Sequence, residues 1–148
     1  MFFVLFVFSV IFQSTEAVAD PEMFMEPIDM IRYWGYPAEL HDVLTADGYI
    51  LDLFRIPHGR HSEANASCFP DASCHRPVVL MDHGLSASSA EFIVNPPESS
   101  AAYILADAGF DVFLLNHRGS THGKRHVSIA PWSNKFWHFT YVVCIMLF

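Results

Sequence analysis

The chain has 148 residues, enough for about one domain. Apolar residues make up 52% of it and charged residues 16%, which excludes an intrinsically disordered chain. The formal net charge is -8 and no basic stripe is present, so the composition argues against a nucleic-acid-binding function.

The first 19 residues are typical of a secretory signal peptide. The apolar run from Phe2 to Phe12 is too short for a bilayer, which takes about 20 residues to cross. Ala17-Val18-Ala19 supplies the small-x-small pattern of a cleavage site, so the mature chain would begin at Asp20. A short N-terminal membrane anchor is the alternative, since no Lys or Arg precedes the apolar run.

Two extended segments around an Asp-Gly pair predict a β-hairpin. A short helix is expected just before them, from Pro27 to Arg32. Residues His41 to Thr45 and Tyr49 to Ile56 then flank Ala46-Asp47-Gly48, and Asp-Gly between two such runs is a strong hairpin signal.

A polar segment from residue 58 to residue 76 reads as a surface loop. Asn65-Ala66-Ser67 within it is an N-glycosylation sequon. Cys68 and Cys74 are close enough to form a disulfide in an oxidising compartment, although two free thiols or an intermolecular partner are equally open. Cys144 is left over.

The following residues predict a strand–helix–strand unit. Pro77 to Met81 is a continuous apolar run, which indicates a strand buried on both faces. Glu98 to Ala108 reads as a helix that Gly109 ends, and Asp111 to Leu115 is a second apolar strand. Such a unit brings its two strands side by side in parallel.

His83-Gly84-Leu85 directly follows the first of these strands. In α/β hydrolases the loop after this strand donates a backbone N–H to the oxyanion hole, which stabilises negative charge on an ester oxygen. Gly84 in this tripeptide would let the backbone turn sharply and approach a substrate. Taken alone, the tripeptide is also compatible with an ordinary strand-to-loop turn.

No convincing nucleophile occurs in the chain. The sequence Gly119-Ser120-Thr121-His122-Gly123 fits the G-x-S-x-G frame with Thr in place of Ser, but it begins four residues after the strand ends. We therefore expect a glycine-rich turn there. Asp82 and His83 resemble an acid–base pair, yet neighbours on a strand point to opposite faces.

The histidines and the aromatic segment could suggest metal binding and lipid contact, but the sequence favours other roles for both. The nine histidines include His58 with His61 and His122 with His126, but none of these spacings matches a zinc motif, so solvated loop histidines are expected. The aromatic segment from Trp132 to Phe139 begins another helix or joins the core more readily than it forms a lipid-binding face.

Taken together, these motifs resemble the acid lipases, the family that includes lysosomal acid lipase and gastric lipase. The resemblance runs through the mature chain in eight ordered blocks. They are Asp20-Pro21-Glu22, Ile31-x-Tyr33-Trp34-Gly35-Tyr36-Pro37, Thr45-x-Asp47-Gly48-Tyr49-Ile50-Leu51, Arg55-Ile56-Pro57-His58-Gly59-Arg60, His83-Gly84-Leu85, Leu105-Ala106-Asp107-Ala108-Gly109-Phe110-Asp111-Val112, Asn116-x-Arg118-Gly119-x-Thr121 and Phe136-Trp137-x-Phe139-x-Tyr141.

The resemblance implies the N-terminal part of an α/β-hydrolase fold, a hairpin followed by a βαβ unit in an incomplete sheet. It implies hydrolysis of triacylglycerols or sterol esters by a Ser–His–Asp triad. It also implies that Leu85 supplies one backbone N–H of the oxyanion hole, in a loop that His83 and Gly84 shape. We expect no cofactor and no metal. By the family pattern all three triad residues lie beyond Phe148, so none is assigned in this chain. One side of the first βαβ strand would then lack a partner, which favours marginal stability or aggregation.

The sequence thus divides into a signal peptide (1–19), a lipase-like part (20–141) and an apolar tail (142–148) that departs from the family pattern. We expect an extracellular or lysosomal protein of a lipid ester hydrolase family, inactive as this chain because the nucleophile is missing. The alternatives are a secreted non-catalytic binding or regulatory fragment and a small membrane-associated protein that uses both apolar ends.

Overall fold

The computed structural model describes residues 20–61 and 76–140, which form a five-stranded mixed sheet with two short α-helices. Within these described residues, three 3₁₀ helices lie outside the sheet, at Pro21–Phe24, Ser89–Phe92 and Asn134–Trp137. The other elements, in chain order, are α1 (Pro27–Tyr33), β1 (Glu39–Leu44), β2 (Tyr49–Ile56), β3 (Val78–Met81), α2 (Ala101–Asp107), β4 (Asp111–Leu114) and β5 (Arg125–His126).

The predicted hairpin is present. Strands β1 and β2 pair antiparallel, with Leu44 opposite Ile50 nearest the turn. The Gly48 amide donates to the Thr45 carbonyl at 2.9 Å, and the φ of Gly48 is 93°, a left-handed conformation that favours glycine. The Asp-Gly signal therefore marks the turn correctly.

The predicted βαβ unit is also present. Strands β3 and β4 run parallel, with Val78 opposite Asp111, and α2 connects them. Gly109 lies two residues after the last helical residue with a φ of 97°, and its amide donates to the Ala106 carbonyl at 3.0 Å. The helix is shorter than predicted at its start, because Ser100 has an extended backbone and α2 begins at Ala101.

The two units join through β2 and β4. These strands pair antiparallel with Phe54 opposite Leu114, which gives the strand order β1-β2-β4-β3, and β5 pairs with β2. The guanidinium of Arg55 on β2 contacts both carboxylate oxygens of Asp111 on β4, at 2.9 and 2.8 Å. This hydrogen bonding raises the pKa of Arg55 well above its ordinary value.

The prediction that β3 is buried on both faces is wrong for the described residues. The side chains of Val78 and Leu80 are 64% and 58% exposed, while Val79 and Met81 on the opposite face are half-buried. The reason is that β3 lies at the end of the strand order beside β4 alone, and its outer face has no covering element within residues 20–61 and 76–140. The expected open edge is present there.

The sheet buries apolar side chains on both faces of β2. Successive side chains of a strand alternate between faces, so Phe54 and Ile56 pack with α1 and α2 on one face. Tyr49 and Leu51 pack on the other face against Phe136, from the 3₁₀ helix Asn134–Trp137. The first core also contains Leu114 of β4, and Met81 of β3 packs against it.

Candidate functional site

A cleft of about 330 Å³ lies where the loops after β3 and β4 meet. The carboxyl ends of adjacent parallel strands are where open α/β sheets usually bind ligands. The aromatic segment before Thr140 closes the third side of the cleft. Its lining residues are His83, Gly84, Leu85, Ser86, Ala87, His117, Arg118, Gly119, Ser120, Thr121, Lys124, Trp137 and Phe139.

The first wall of the cleft is a tight turn that contains Leu85. The amide of Ala87 donates to the carbonyl of Gly84 at 3.2 Å, and Ser86 has a φ of 65°. A closing bond of this kind with positive φ at the third residue defines a type II turn, with Leu85 at its second position. The amide of Leu85 donates to no backbone carbonyl in residues 20–61 and 76–140, and its side chain is 77% exposed.

The sharp bend lies two residues after the glycine. Gly84 has no left-handed φ, and a Cβ atom added there would meet nothing within 4 Å. Ser86 instead adopts the left-handed conformation, which costs a non-glycine residue about 1 kcal/mol. The fold itself therefore does not require glycine at position 84, and any requirement for glycine there would come from a bound ligand.

Two buried histidines connect the loop after β3 to the loop after β4. The ring of His83 packs edge-on against the ring of His117, with centroids 4.8 Å apart. The backbone N–H of His117 donates to Nε2 of His83 at 3.2 Å, and Nδ1 of His83 contacts the Gly84 carbonyl oxygen at 2.9 Å. Asp82 is not paired with its sequence neighbour, because its carboxylate lies 2.5 Å from Nε2 of His117.

The loop after β4 is anchored by a buried asparagine. The Asn116 carboxamide oxygen accepts from the Ser89 amide at 3.0 Å, and its nitrogen donates to the Asp52 carbonyl at 2.9 Å. One side chain thus connects the end of β4 to β2 and to the segment after β3. Asn116 and the two histidines were not predicted as a network, although the block Asn116-x-Arg118-Gly119 marked this segment.

Thr121 lies in a turn, as expected, and not in a strand-to-helix elbow. The amide of Gly119 donates to the carbonyl of Gly123 at 2.8 Å, and the amide of Gly123 donates to the Ser120 carbonyl at 3.1 Å. A Cβ atom at Gly123 would overlap the His117 carbonyl oxygen, so this glycine is required by packing. The glycine-rich turn shapes the second wall of the cleft.

The third wall is aromatic, and its residues divide between core and surface. Phe136 is fully buried, as the prediction of a core segment requires. Trp132 is 86% exposed, and Trp137 and Phe139 line the cleft. The helix expected here is a single 3₁₀ turn, Asn134–Trp137, whose N-cap Ser133 accepts from the Lys135 amide at 3.3 Å.

Several predicted features lie outside the described residues. These are the signal peptide, the sequon at Asn65, the cysteines Cys68 and Cys74, and the apolar tail at 142–148. Within residues 20–61 and 76–140, no group of three His, Cys, Asp or Glu side chains could hold a metal ion. Over the same ranges, no helix has the length and apolar character that crossing a bilayer demands.

Comparison with known proteins identifies the class. Residues 27–96 match the family described as a partial alpha/beta-hydrolase lipase region, in agreement with the mixed sheet. The chain is 45% identical over 122 residues to gastric triacylglycerol lipase of Bos taurus and to lipase member K of Homo sapiens. It is also 41% identical over 131 residues to a tear acid lipase-like protein of Mesocricetus auratus.

The fold and the matched region define an incomplete α/β-hydrolase lipase domain. The chain is similar to these lipases over most of its length, which confirms the resemblance found in its motifs. The alignments with the bovine and human lipases cover 82% of this chain and 29% of each relative. The alignment with the tear acid lipase-like protein covers 88% of this chain and 31% of that protein. The chain thus spans less than a third of the length of the curated relatives it matches.

Proposed function

We propose that this chain contributes half of the oxyanion hole of a lipid ester hydrolase, through the backbone N–H of Leu85. When a serine attacks an ester carbonyl, negative charge grows on the carbonyl oxygen. A donor fixed in advance stabilises that charge without reorganising, and losing one such donor costs on the order of 3 kcal/mol in the barrier. The observation that carries the proposal is the position of Leu85, in a turn that lines the cleft beyond the end of β3.

The shape and chemistry of the cleft suit a fatty acyl ester. Leu85, Trp137 and Phe139 offer apolar surface along the cleft, while the turn at Leu85 offers a backbone donor. A mostly apolar cleft with a few placed polar groups is the usual form of a site for a small apolar ligand. The name of the bovine relative points to triacylglycerols, and sterol esters share the same ester chemistry.

The left-handed conformation of Ser86 also supports the proposal. A non-glycine residue with positive φ is uncommon, and such residues concentrate at active sites and ligand contacts. Here the conformation closes the turn that contains Leu85, through the bond from the Ala87 amide to the Gly84 carbonyl. A different residue order, with glycine at 86, would relieve the strain without altering the donor.

The experiment is a substitution that removes the donor and leaves the turn intact. A chimera in which residues 20–140 replace the matching part of bovine gastric lipase supplies the remaining catalytic groups. Leu85→Pro removes only the N–H, because proline suits the second position of a type II turn. We expect kcat to fall about 100-fold or more, whereas Leu85→Ala, which keeps the N–H, should stay within about threefold of the unmodified chimera.

The same proposal holds that the 148 residues alone do not hydrolyse esters, because no G-x-S-x-G elbow occurs among them. Binding without turnover would make the chain the secreted non-catalytic fragment considered above. A fluorophosphonate probe, which labels activated serines, should not label this chain but should label the chimera. Labelling of the chain would overturn the assignment of the nucleophile to residues outside it.

We further propose that the protein follows the secretory pathway to the extracellular space or the lysosome. The signal-like residues 1–19, the sequon at Asn65 and the pair Cys68 and Cys74 support this route together. Release of a chain that begins at Asp20 from transfected cells is the expected result. Retention of an uncleaved N-terminus in membranes would favour the anchor.

A further inference from the structure

Hydrogen-bond chemistry fixes the protonation of His83. A carbonyl oxygen can only accept, so Nδ1 of His83 must carry the hydrogen that it donates to Gly84 at 2.9 Å. The backbone N–H of His117 can only donate, so Nε2 of His83 must be bare to accept it at 3.2 Å. The buried ring is therefore neutral and in the Nδ1–H tautomer.

The atom that His83 holds belongs to the same peptide group as the proposed oxyanion donor. The Gly84 carbonyl and the Leu85 N–H share one planar trans peptide, in which they point in opposite directions. The Gly84 oxygen accepts from Nδ1 of His83 and from the Ala87 amide at 3.2 Å, which uses both of its lone pairs. Two donors on the oxygen fix the plane of the peptide, and with it the direction of the N–H.

We propose that His83 is a positioning residue that aims the Leu85 N–H by holding the Gly84 carbonyl. The proposal rests on the oxyanion role proposed above and adds a cause for the direction of the donor. His83 itself touches no substrate in this scheme. The His83 ring accepts from the His117 amide in the loop after β4 and contacts the Gly84 carbonyl in the turn after β3. The position of the first loop therefore affects the orientation of the turn.

The support for His83 is itself fixed at two points. The ring of His117 is held by the Asp82 carboxylate, whose Oδ1 lies 2.5 Å from Nε2. The backbone of the same loop is held by Asn116, whose carboxamide bonds two other segments. The loops that carry His83 and His117 follow the neighbouring parallel strands β3 and β4. A shift of either strand end would therefore change the direction of the Leu85 N–H.

The first test reads the tautomer directly in the full chain. Long-range ¹H–¹⁵N spectra of the histidine side chains near neutral pH should show a protonated Nδ1 and a bare Nε2 for His83. The exposed His138 is the internal reference and should show the tautomer mixture of a solvated imidazole. An Nε2–H tautomer at His83, or a mixture like that of His138, would overturn the proposal.

The second test separates positioning from general stability in the chimera. His83→Phe removes both hydrogen bonds and should lower kcat about tenfold to a hundredfold with little change in KM, since oxyanion stabilisation acts only in the transition state. His83→Asn places an amide donor near the position of Nδ1 and should recover most of the loss. The control His138→Asn should leave both constants unchanged. Equal losses in the Phe and Asn variants would refute a role through Nδ1.

The two proposals fail in different ways. If Leu85→Pro leaves kcat unchanged while His83 has the Nδ1–H tautomer, the oxyanion role is wrong and the linkage between the loops remains. If Leu85→Pro lowers kcat but His83 is protonated at Nε2, the donor is correct and His83 does not aim it. The tautomer measurement on the unmodified chain decides the second case even where His83→Phe fails to fold.

Discussion

The fully buried guanidinium of Arg118 lies 2.5 Å from a carboxylate oxygen of Asp47, in the turn between β1 and β2. It also lies 4.8 Å from the centre of the Tyr49 ring, which covers it. Arg118 follows β4 and lines the cleft, so this pair connects the second wall of the cleft to the hairpin. Asp47 of the predicted Asp-Gly turn and Arg118 of the candidate site therefore form one ion pair.

Asp47→Asn should lower the free energy of unfolding by about 2 kcal/mol, because it leaves the charge of Arg118 buried without a countercharge. We expect less than the full cost of a buried pair, since Asp47 is 36% exposed and water screens it. Urea unfolding measures the change. The control is Asp29→Asn, which breaks an exposed pair with Arg32 at 3.8 Å and should cost under about 0.5 kcal/mol. Equal effects of the two substitutions would contradict the importance of burial.

Substitution by alanine should destabilise the protein strongly at Gly123 and only slightly at Gly84. Gly123→Ala should destabilise the protein by several kcal/mol or prevent folding, because the added Cβ would overlap the His117 carbonyl oxygen. Gly84→Ala should change the free energy of unfolding by less than about 1 kcal/mol, since open space surrounds its Cα. Thermal unfolding followed by circular dichroism compares the two. In the chimera, a loss of activity in a stable Gly84→Ala variant would indicate that substrate approaches this atom.

Tyr36 should make stability fall at alkaline pH. Its hydroxyl donates to Asp107 at 2.6 Å, and burial together with this bond raises the pKa of Tyr36 well above its ordinary value of 10.0. The unfolded chain then loses its tyrosine proton at a lower pH than the folded chain. The stabilisation is therefore complete below about pH 10 and is lost as pH rises through the folded value.

Urea unfolding at about pH 8 and at about pH 11 tests this expectation for Tyr36. Tyr36→Phe should cost about 1 kcal/mol at the lower pH, where the hydrogen bond is lost. The same substitution should also make the fall in the free energy of unfolding between the two pH values smaller. Tyr103, whose pKa is likewise raised by burial, remains in both proteins and provides the common background. An identical pH dependence in the two proteins would exclude this linkage.

The edge strand β3 should promote aggregation. It presents Val78 and Leu80 without a charged residue, whereas β1, the strand at the other end of the order, carries Glu39, His41 and Asp42. Leu80→Lys places a charge on the open edge and should raise the soluble monomer fraction several-fold. Ile104→Lys, on the exposed face of α2, is the matched control and should have little effect. Sedimentation velocity reports the outcome, and a soluble monomeric unmodified protein with a sharp thermal transition would oppose the expectation.

The glycosylation that the sequon at Asn65 leads us to expect would produce a mass difference in secreted protein. Treatment with a peptide N-glycosidase should lower the apparent mass by about 2 kDa, the size of one N-glycan, since glycans on Asn-X-Ser are bulky. Asn65→Gln should abolish this shift, because Asn65-Ala66-Ser67 is the sequon considered. Ala66→Pro, which leaves the asparagine in place but blocks the sequon, should act in the same way. A shift that persists in both variants would place the glycan elsewhere.

The sequence by itself determined those elements that local chemistry specifies. The Asp-Gly pair gave the turn before β2, the apolar runs gave β3 and β4, and Gly109 gave the end of α2. His83-Gly84-Leu85 also lies beyond the strand end, as its position next to an apolar run predicts. Each of these depends on side-chain periodicity or backbone freedom within a few residues, so a short window of sequence contains the whole physical cause.

Only the tertiary structure decided which of these segments meet. His83 bonds an amide 34 residues away because β3 pairs with β4. Arg118 bonds a carboxylate 71 residues away because β2 pairs with β4. The exposure of β3 follows from the strand order, in which β3 lies at one end. No local pattern specifies strand order, since the free energy that selects it comes from burial and hydrogen bonds shared among distant segments.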